Sequence, residues 1–433
     1  MFYKGIIMKK ASIGAAIAIT GCLILPYFVG NSFQTYHQNT IASIEKNPAI
    51  AVKDYQFTRN WFGGEAVTTL SIATQAPEMP TVDLVLTESL TFGPVNISTS
   101  GLQLSLVKSK ASFDIPLFAA QPQIVEQLNQ NIKISSVLSW LGNYSTRLET
   151  LAFDIDEVDQ SVNIRPSLGE FTLSGDTLTG EYVWQGLSIK GQGKALEVLP
   201  LTFKLDQTLI AGDMYSGDAV SVGDFSVSVE RFSFDNKANG QSLAINNMYI
   251  EGNTTEHDDL LDLTLTYGAD EITAMDKKVT ESNLVVAIRN LDIKAIQALN
   301  RASQSFNGDP QSVATQQALA SLIPTAMAML DHSPEIAIEE FSVVTEHGKL
   351  ASKAKLDINK DLVDINNPMS VVAAMNLEAN GAGPEAFFQQ LGLSPMIDGY
   401  VQQGLLTKDE GKLSFTASFA QGQLKINDKV MPL

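Results

Sequence analysis

Residues Asp224–Asp235 read DFSVSVERFSFD. Phe225, Val227 and Val229 alternate with Ser226 and Ser228, and after Glu230-Arg231 the alternation resumes at Phe232 and Phe234. Period two places apolar side chains on one face of an extended strand and polar ones on the other. The same pattern recurs in TVDLVLTESLTF (Thr81–Phe92), GLQLSLVKSKASFDI (Gly101–Ile115), LDLTLTY (Leu261–Tyr267), PEIAIEEFSVV (Pro334–Val344), KLSFTASF (Lys412–Phe419) and GQLKIND (Gly422–Asp428). The separators SGDTLTG, KGQGK, DNKANGQ and AQGQ are rich in turn formers. Strands joined by short turns pair antiparallel, and such sheets keep one wet face. The expected fold is therefore an α+β, elongated, mostly antiparallel β-sheet body with helical insertions. The face Phe225, Val227, Val229 is expected to be buried against protein.

Three segments break the alternation and predict helices. The first covers Gln121–Leu141. The second is a helix pair over Asp292–His332, broken at FNGDP, where Asp309 caps and Pro310 opens the next helix. The third runs from GPEAFFQQLG to Leu406, broken around Gly392–Pro395. No Pro-rich or Ser-rich linker divides the chain. Residues 31–433 are expected as one body, in two lobes with a boundary near 285–335.

The N-terminus has a different grammar. Lys4, Lys9 and Lys10 precede an uncharged apolar run, Ala11–Gly30. At about 1.5 Å per residue, twenty helical residues cross roughly 30 Å, the thickness of a bilayer core. The next charges after Lys10 are Glu45 and Lys46, so positive charge flanks the run only on its N-terminal side. That asymmetry predicts residues 1–10 in the cytoplasm, a transmembrane helix at 11–30, and the rest in the periplasm. Met8 offers a compact alternative start. Ile19-Thr20-Gly21-Cys22 also resembles a lipoprotein cleavage box, but the chain stays apolar after Cys22. An uncleaved anchor, lipidation at Cys22 and simple cleavage are the three outcomes, and the full spanning length favours the first. Phe33, Tyr36, Ile41 and Ile44 continue a helical face to about Lys46, and Pro48 ends it.

Cys22 is the single cysteine, so the remainder has no disulfide and no thiol chemistry. With 29 basic and 48 acidic residues the chain carries −19, and all three lysines of the first thirty residues lie before the apolar run. Such a charge argues against a nucleic-acid partner and against broad adhesion to anionic headgroups.

The anchor is followed by YQFTRNWFGGEA (Tyr55–Ala66), LTFGPVNIS (Leu90–Ser98) and a closing LSFTASFAQGQLKIND (Leu413–Asp428). In this order and spacing the chain resembles the YdgA family of bacterial envelope proteins, the domain of unknown function 945, over essentially its whole length. The resemblance implies an inner-membrane anchor and a large periplasmic part, with no known activity. Near Arg59 the family has Gly-x-Phe-Ser-Ser, where this chain has Asn60-Trp61-Phe62-Gly63-Gly64. The family's His-Gly-Pro is here Phe92-Gly93-Pro94, so chemistry resting on that histidine cannot operate.

Candidate chemistry is sparse. His37 falls on the membrane-proximal helix, His257 in TTEHDDLLD, His332 at a helix C-terminus where a cation suits the dipole, and His347 in the turn TEHGKL. Glu256, His257, Asp258, Asp259 and Asp262 form the densest set of ligand-type side chains, of a kind that suits Ca²⁺, or simply an acidic loop. Asp357, Asn359 and Asp361 match the opening of an EF-hand loop, but Leu362 replaces its glycine and Pro368 its closing glutamate. Asn359-Lys360-Asp361 reads better as a hairpin turn. Gly191-Gln192-Gly193-Lys194 lacks the phosphate-loop spacing and reads as a turn. No residue is assigned a catalytic, cofactor-binding or metal-binding role, and no cofactor is expected.

Two functional classes remain, with a hydrolase third. One is a non-enzymatic scaffold or interaction module, with an envelope protein or a second copy as partner. The other binds or transfers lipids in a β-sheet groove, covered by the Met- and Ala-rich stretch Gln317–Leu330. The anchor itself is testable. Cys22→Ser should leave mass and membrane retention unchanged, and acyl labelling that disappears with this change would identify a lipoprotein instead.

Overall fold

The computed structural model describes residues 25–431 apart from 48, 74–80, 95, 99–100, 120–121, 158, 276, 304–323, 325–326, 328, 365–366 and 368–369. Described residues fall into two units. The first takes in 25–152, Pro166–Tyr182 and Asp213–Ala219; the second takes in Phe153–Arg165, Val183–Gly212 and 220–431. The fold is β-rich, with antiparallel pairing throughout the registers given below and few helices. The boundary expected near 285–335 falls inside the second unit, where strands on either side of that segment pair directly.

The first unit begins with a helix over 25–44. Strands β1 (Ile50–Arg59), β2 (Gly63–Ala73), β3 (Thr81–Phe92), β4 (Asn96–Ser98), β5 (Gly101–Gln103), β6 (Val107–Asp114), β7 (Ile132–Leu138) and β8 (Tyr144–Thr150) follow. Their antiparallel pairings run β1–β2–β3–β6–β7–β8, with β4–β5 a separate small ribbon. After β9 (Phe153–Glu157) and β10 (Gln160–Ile164), which belong to the second unit, β11 (Ser167–Ser174) adds to β8 and turns at Gly175 into β12 (Thr177–Trp184).

The helix lies on this sheet through residues spaced by four: Val29, Phe33, His37 and Ile41, the inward stripe that a 3.6-residue period dictates. Phe33 is buried with Ala66, Leu90, Phe92 and Val107. Gly30 lets the backbone approach, since a Cβ there would lie 2.7 Å from the Phe92 ring. The expected span Ala11–Gly30 lies largely outside the described residues. Of its last members, Pro26 and Gly30 are buried, whereas Tyr27 and Phe28 are exposed. Among the described residues no helix is long and apolar enough to cross a membrane.

The second unit is one long meander. Its strands are β9, β10, β13 (Leu187–Gly191), β14 (Lys194–Ala211), β15 (Val220–Asn236), β16 (Gln241–His257), β17 (Leu260–Ala274), β18 (Lys277–Asp292), β19 (Glu335–Thr345), β20 (Gly348–Ile358), β21 (Met375–Pro384), β22 (Thr407–Asp409), β23 (Lys412–Ala420), β24 (Gln423–Ile426) and β25 (Lys429–Met431). The pairing order is β9–β10–β13–β14–β15–β16–β17–β18–β19–β20–β21–β23–β24–β25, with β22 on the end of β23. Gln192 and Gly193, then Gln421 and Gly422, take positive φ at consecutive positions, the backbone that tight hairpins require.

Glu230 belongs to a line of irregularities crossing the sheet. The ladder omits Pro200 opposite Glu230, then Asn247, and then Asp270 opposite Glu281; Asn247 and Glu281 have φ of 51° and 49°. Proline offers no N–H to the ladder. A break in line on neighbouring strands resets the alternation together, which is why Phe232 follows Val229 on the apolar pattern.

One helical and one strand expectation change. Gln121–Leu141 is helical only over Pro122–Asn131; Ile132–Leu138 is β7, because Ile132, Ile134 and Leu138 alternate and pair with both β6 and β8. Leu104–Leu106, expected as strand, forms a loop, with Leu106 N–H donating to the Leu138 carbonyl. The third helical segment is as expected: Glu385–Gln390 and Ser394–Gln403, separated at Gly392 and closed by left-handed Gly404. The second contains the helix Ile293–Ser303, and its break at FNGDP lies outside the described residues. The extension to about Lys46 holds, with helix to 44 and a turn at 45–46.

Phe33→Ala should detach the helix from its sheet. Removing a fully buried phenylalanine costs about 3–5 kcal/mol, read as a lower denaturant midpoint for the first unit and faster amide exchange over 25–44.

Candidate functional site

Because β-pairing puts partner residues side by side, registers can be followed across the second unit. One row runs Phe203, Val227, Ile250, Tyr267, Leu284, Phe341, Ser352, Gly381, Phe415. The next runs Leu205, Phe225, Gly252, Leu265, Val286, Ile338, Ala354, Ala379, Ala417. A third ends Leu263, Ile288, Ile336, Leu356, Leu377, Phe419. All three lie on one face of nine strands. The opposite face carries rows such as Asp224, Asn253, Thr264 and, further on, Lys355, Glu378, Ser418. There Arg289 bridges Glu335 and Glu339, and Lys355 Nζ lies 2.7 Å from Glu335, holding that carboxyl below its usual range.

Among the described residues this apolar face is not closed over; Gln317–Leu330, the stretch expected to cover it, lies largely outside them. Val229 is buried, but Phe225 and Val227 are only half-buried, a correction to their expected burial. Further along, Tyr267 is 37%, Ile338 37%, Phe341 38% and Ile336 50% exposed.

At the β20–β21–β23 end the helices Glu385–Gln390 and Ser394–Gln403 flank an open cavity of about 310 Å³. Leu350, Phe388, Met396, Ile397, Tyr400 and Phe415 line it, with Ser352 and Gly381 contributed by the first row. Glycine is required at 381, because a Cβ would stand 2.6 Å from the Phe415 ring. The helices are fixed from outside the cavity. Glu385, buried at the first turn, accepts from Lys408 Nζ (2.6 Å) and Gln389 Nε2 (2.8 Å), and its bond holds the Lys408 ammonium above its usual range. Among the lining residues the polar groups are the hydroxyls of Ser352, Tyr400 and Ser414.

The first unit has a polar cluster under its helix. His37 Nε2 lies 2.8 Å from Glu88 Oε2 and Nδ1 3.1 Å from the Tyr55 hydroxyl, with the His37 and Tyr55 rings stacked at 5.5 Å. A carboxylate only accepts, so His37 donates from Nε2 to Glu88. Burial, then the Glu88 charge, pushes the Tyr55 phenol up to about 12. Burial likewise raises the phenols of Tyr144 and Tyr215. Ser43 closes the far end of the helix by donating to Asp213 (3.0 Å).

Residues 8–433 match the family described as a bacterial protein of unknown function, DUF945. The chain belongs to the DUF945 family. No curated protein and no solved structure matches it. In this DUF945 chain Phe92, which stands where the resemblance suggested a histidine, is a core residue, 2% exposed against Phe33.

The other singled-out residues take structural places. Asp258 and Asp259, φ 52° and 63°, are the two central residues of the β16–β17 hairpin, and Asp262 accepts from the Asn290 N–H. His257 is 3.9 Å from Asp262, and among the described residues no group of three His, Cys, Asp or Glu is arranged to hold a metal ion. His332 faces Asp292 at 3.7 Å and His347 faces Glu346 at 3.4 Å. Asn359 is not in a hairpin. It caps the 3₁₀ turn Lys360–Leu362 by accepting from Asp361 N–H, and Asp357 accepts from Asn376. Gly191–Lys194 is the β13–β14 turn. Sequence reading missed the His37–Glu88 pair because its members are 51 positions apart.

The DUF945 cluster makes a pH prediction. Tyr55 holds its proton to about pH 12 when folded, whereas a free phenol ionises near ~10. Its contribution is fully present below pH ~10 and is lost as pH rises to ~12. Wild type should lose stability more steeply than Tyr55→Phe over that window, measured by denaturant melts at stepped pH; parallel curves would refute the assignment.

Proposed function

We infer that this DUF945 protein is an envelope protein held at the bacterial inner membrane by Ala11–Gly30, with its bulk in the periplasm, and that its second unit binds lipid acyl chains. The single observation that carries the binding reading is an apolar face that spans nine strands, is exposed at Tyr267, Ile336, Ile338 and Phe341, and runs into an apolar cavity under two helices. At ~4.8 Å between neighbouring strands, eight spacings make a path of about 38 Å. A lipid chain reaches about half of a ~30 Å bilayer core, so the path is long enough for one chain and more. Each methylene withdrawn from water contributes about 0.8 kcal/mol, and the rows offer side chains without charge along the whole path. A rigid scaffold would instead close such a face with its own side chains, so the exposure of Ile336, Ile338 and Phe341 favours the lipid reading over the scaffold. The anchor rests on the charge asymmetry of the apolar run and its length.

Delipidated full-length protein should bind a fluorescent fatty acid, and Phe341→Glu should weaken that binding about tenfold, or ~1.4 kcal/mol. The melting temperature should hardly move, because this side chain is partly in water already. No binding by the wild type would end the lipid reading and favour the scaffold.

A further inference from the structure

The strands of the first unit end together. Arg59 stands opposite Gly64, Gly63 opposite Thr91, Phe92 opposite Val107, Val107 opposite Leu138, and Leu138 opposite Tyr144. The connections at this end of the sheet are therefore neighbours: Asn60–Phe62, Phe92–Pro94, Leu104–Leu106 and Ser139–Gly142. Hydrogen bonds join them. Phe92 N–H donates to Phe62, Gly93 N–H to Leu106, and Trp140 Nε1 to the Pro94 carbonyl at 3.3 Å.

The start of the helix meets the same end. Arg59 donates to the Tyr27 carbonyl (2.9 Å) with its guanidinium 4.6 Å above the Tyr27 ring, and the Tyr27 and Trp61 rings are 5.2 Å apart.

This rim carries the wrong side chains for water. Tyr27, Phe28, Trp61, Phe62, Trp140 and Leu141 are 41%, 62%, 51%, 50%, 48% and 88% exposed, and Leu104 is 66% exposed. In a chain of net charge −19, the four connections hold no Asp, Glu, Lys or Arg. Large contiguous apolar patches mark interaction surfaces. Trp and Tyr with an apolar body and a polar edge suit the boundary between headgroups and acyl chains. Arg59 supplies a cation at the margin.

We propose that this rim inserts into the outer headgroup–acyl boundary of the bilayer that the anchor enters, seating the first unit on the membrane instead of tethering it at a distance. The occupant follows from the chain itself. The apolar run ends at Gly30, and Tyr27, within its last residues and on the helix 25–44, touches the rim, leaving no spacer between the two. The proposal rests on the anchor reading above. It differs from it in requiring contact by side chains far along the sequence.

The test uses the full chain in liposomes of phosphatidylethanolamine and phosphatidylglycerol. The protein has three tryptophans. Trp140→Phe with Trp184→Phe leaves Trp61 as the reporter, and Trp61→Phe with Trp184→Phe leaves Trp140. With lipid brominated high on the acyl chain, each reporter should lose about half its emission, as expected of interfacial indoles, and should resist quenching by aqueous iodide. Leu141→Asp, at a site too exposed to affect folding, should reduce the loss at Trp140. Alkaline carbonate separates the two readings. Protein retained through carbonate with both reporters unquenched by lipid keeps the anchor and overturns the rim. Protein released by carbonate, yet quenched before that treatment, keeps the rim and overturns the anchor.

Discussion

In β14 to β23 the backbone hydrogen bonds decide which side chains stand in line, and everything recognisable about the second unit follows from that register. A slip of one residue between β15 and β16 would bring Ser226 and Ser228 into the rows now held by Phe225 and Val227. Period-two geometry allows no intermediate. The rows survive the line of omitted pairs at Pro200, Glu230, Asn247 and Glu281 because the breaks occur in step. A break confined to one strand would turn its remaining residues to the wrong face.

The first unit is organised by a helix laid on a sheet. Its stripe mixes two kinds of contact. Phe33 and Ile41 are buried apolar residues, while His37 between them reaches Tyr55 and Glu88. The apolar contacts supply most of the adhesion. The histidine satisfies a carboxylate and a phenol that would otherwise be desolvated without partners, a costly condition. The pair thus fixes where along the sheet the helix comes to rest.

Much of the fold was legible in the chain because period two and turn chemistry are local signals. Phe225 to Phe234, including the reset at Glu230-Arg231, predicted β15, and KGQGK and AQGQ predicted hairpins that exist. Ile132–Leu138 was misread as helix because a short apolar run following a helical segment fits both periods, and its partners in β6 and β8 settle the matter. The candidate site was less legible. That Phe341, Tyr267 and Val227 share a row depends on pairing between strands, and pairing leaves no mark on any one strand. Exposure is also a property of what fails to cover a face, so alternation alone suggested burial for Val227 where the structure leaves it half-open. The four connections around Trp61 and Trp140 come together for the same reason, from segments separated by some eighty positions.

From β14 to β21 each strand pairs with the one made just before it, the long interruptions being 293–334 after β18 and 359–374 after β20. No strand in this stretch waits for a distant partner. Short sequence separation between contacting segments lowers the entropy spent before contacts form. Assembly can then advance hairpin by hairpin in the order of synthesis, each completed strand serving as the template for the next, so that at any moment a single growing edge is open to mispairing.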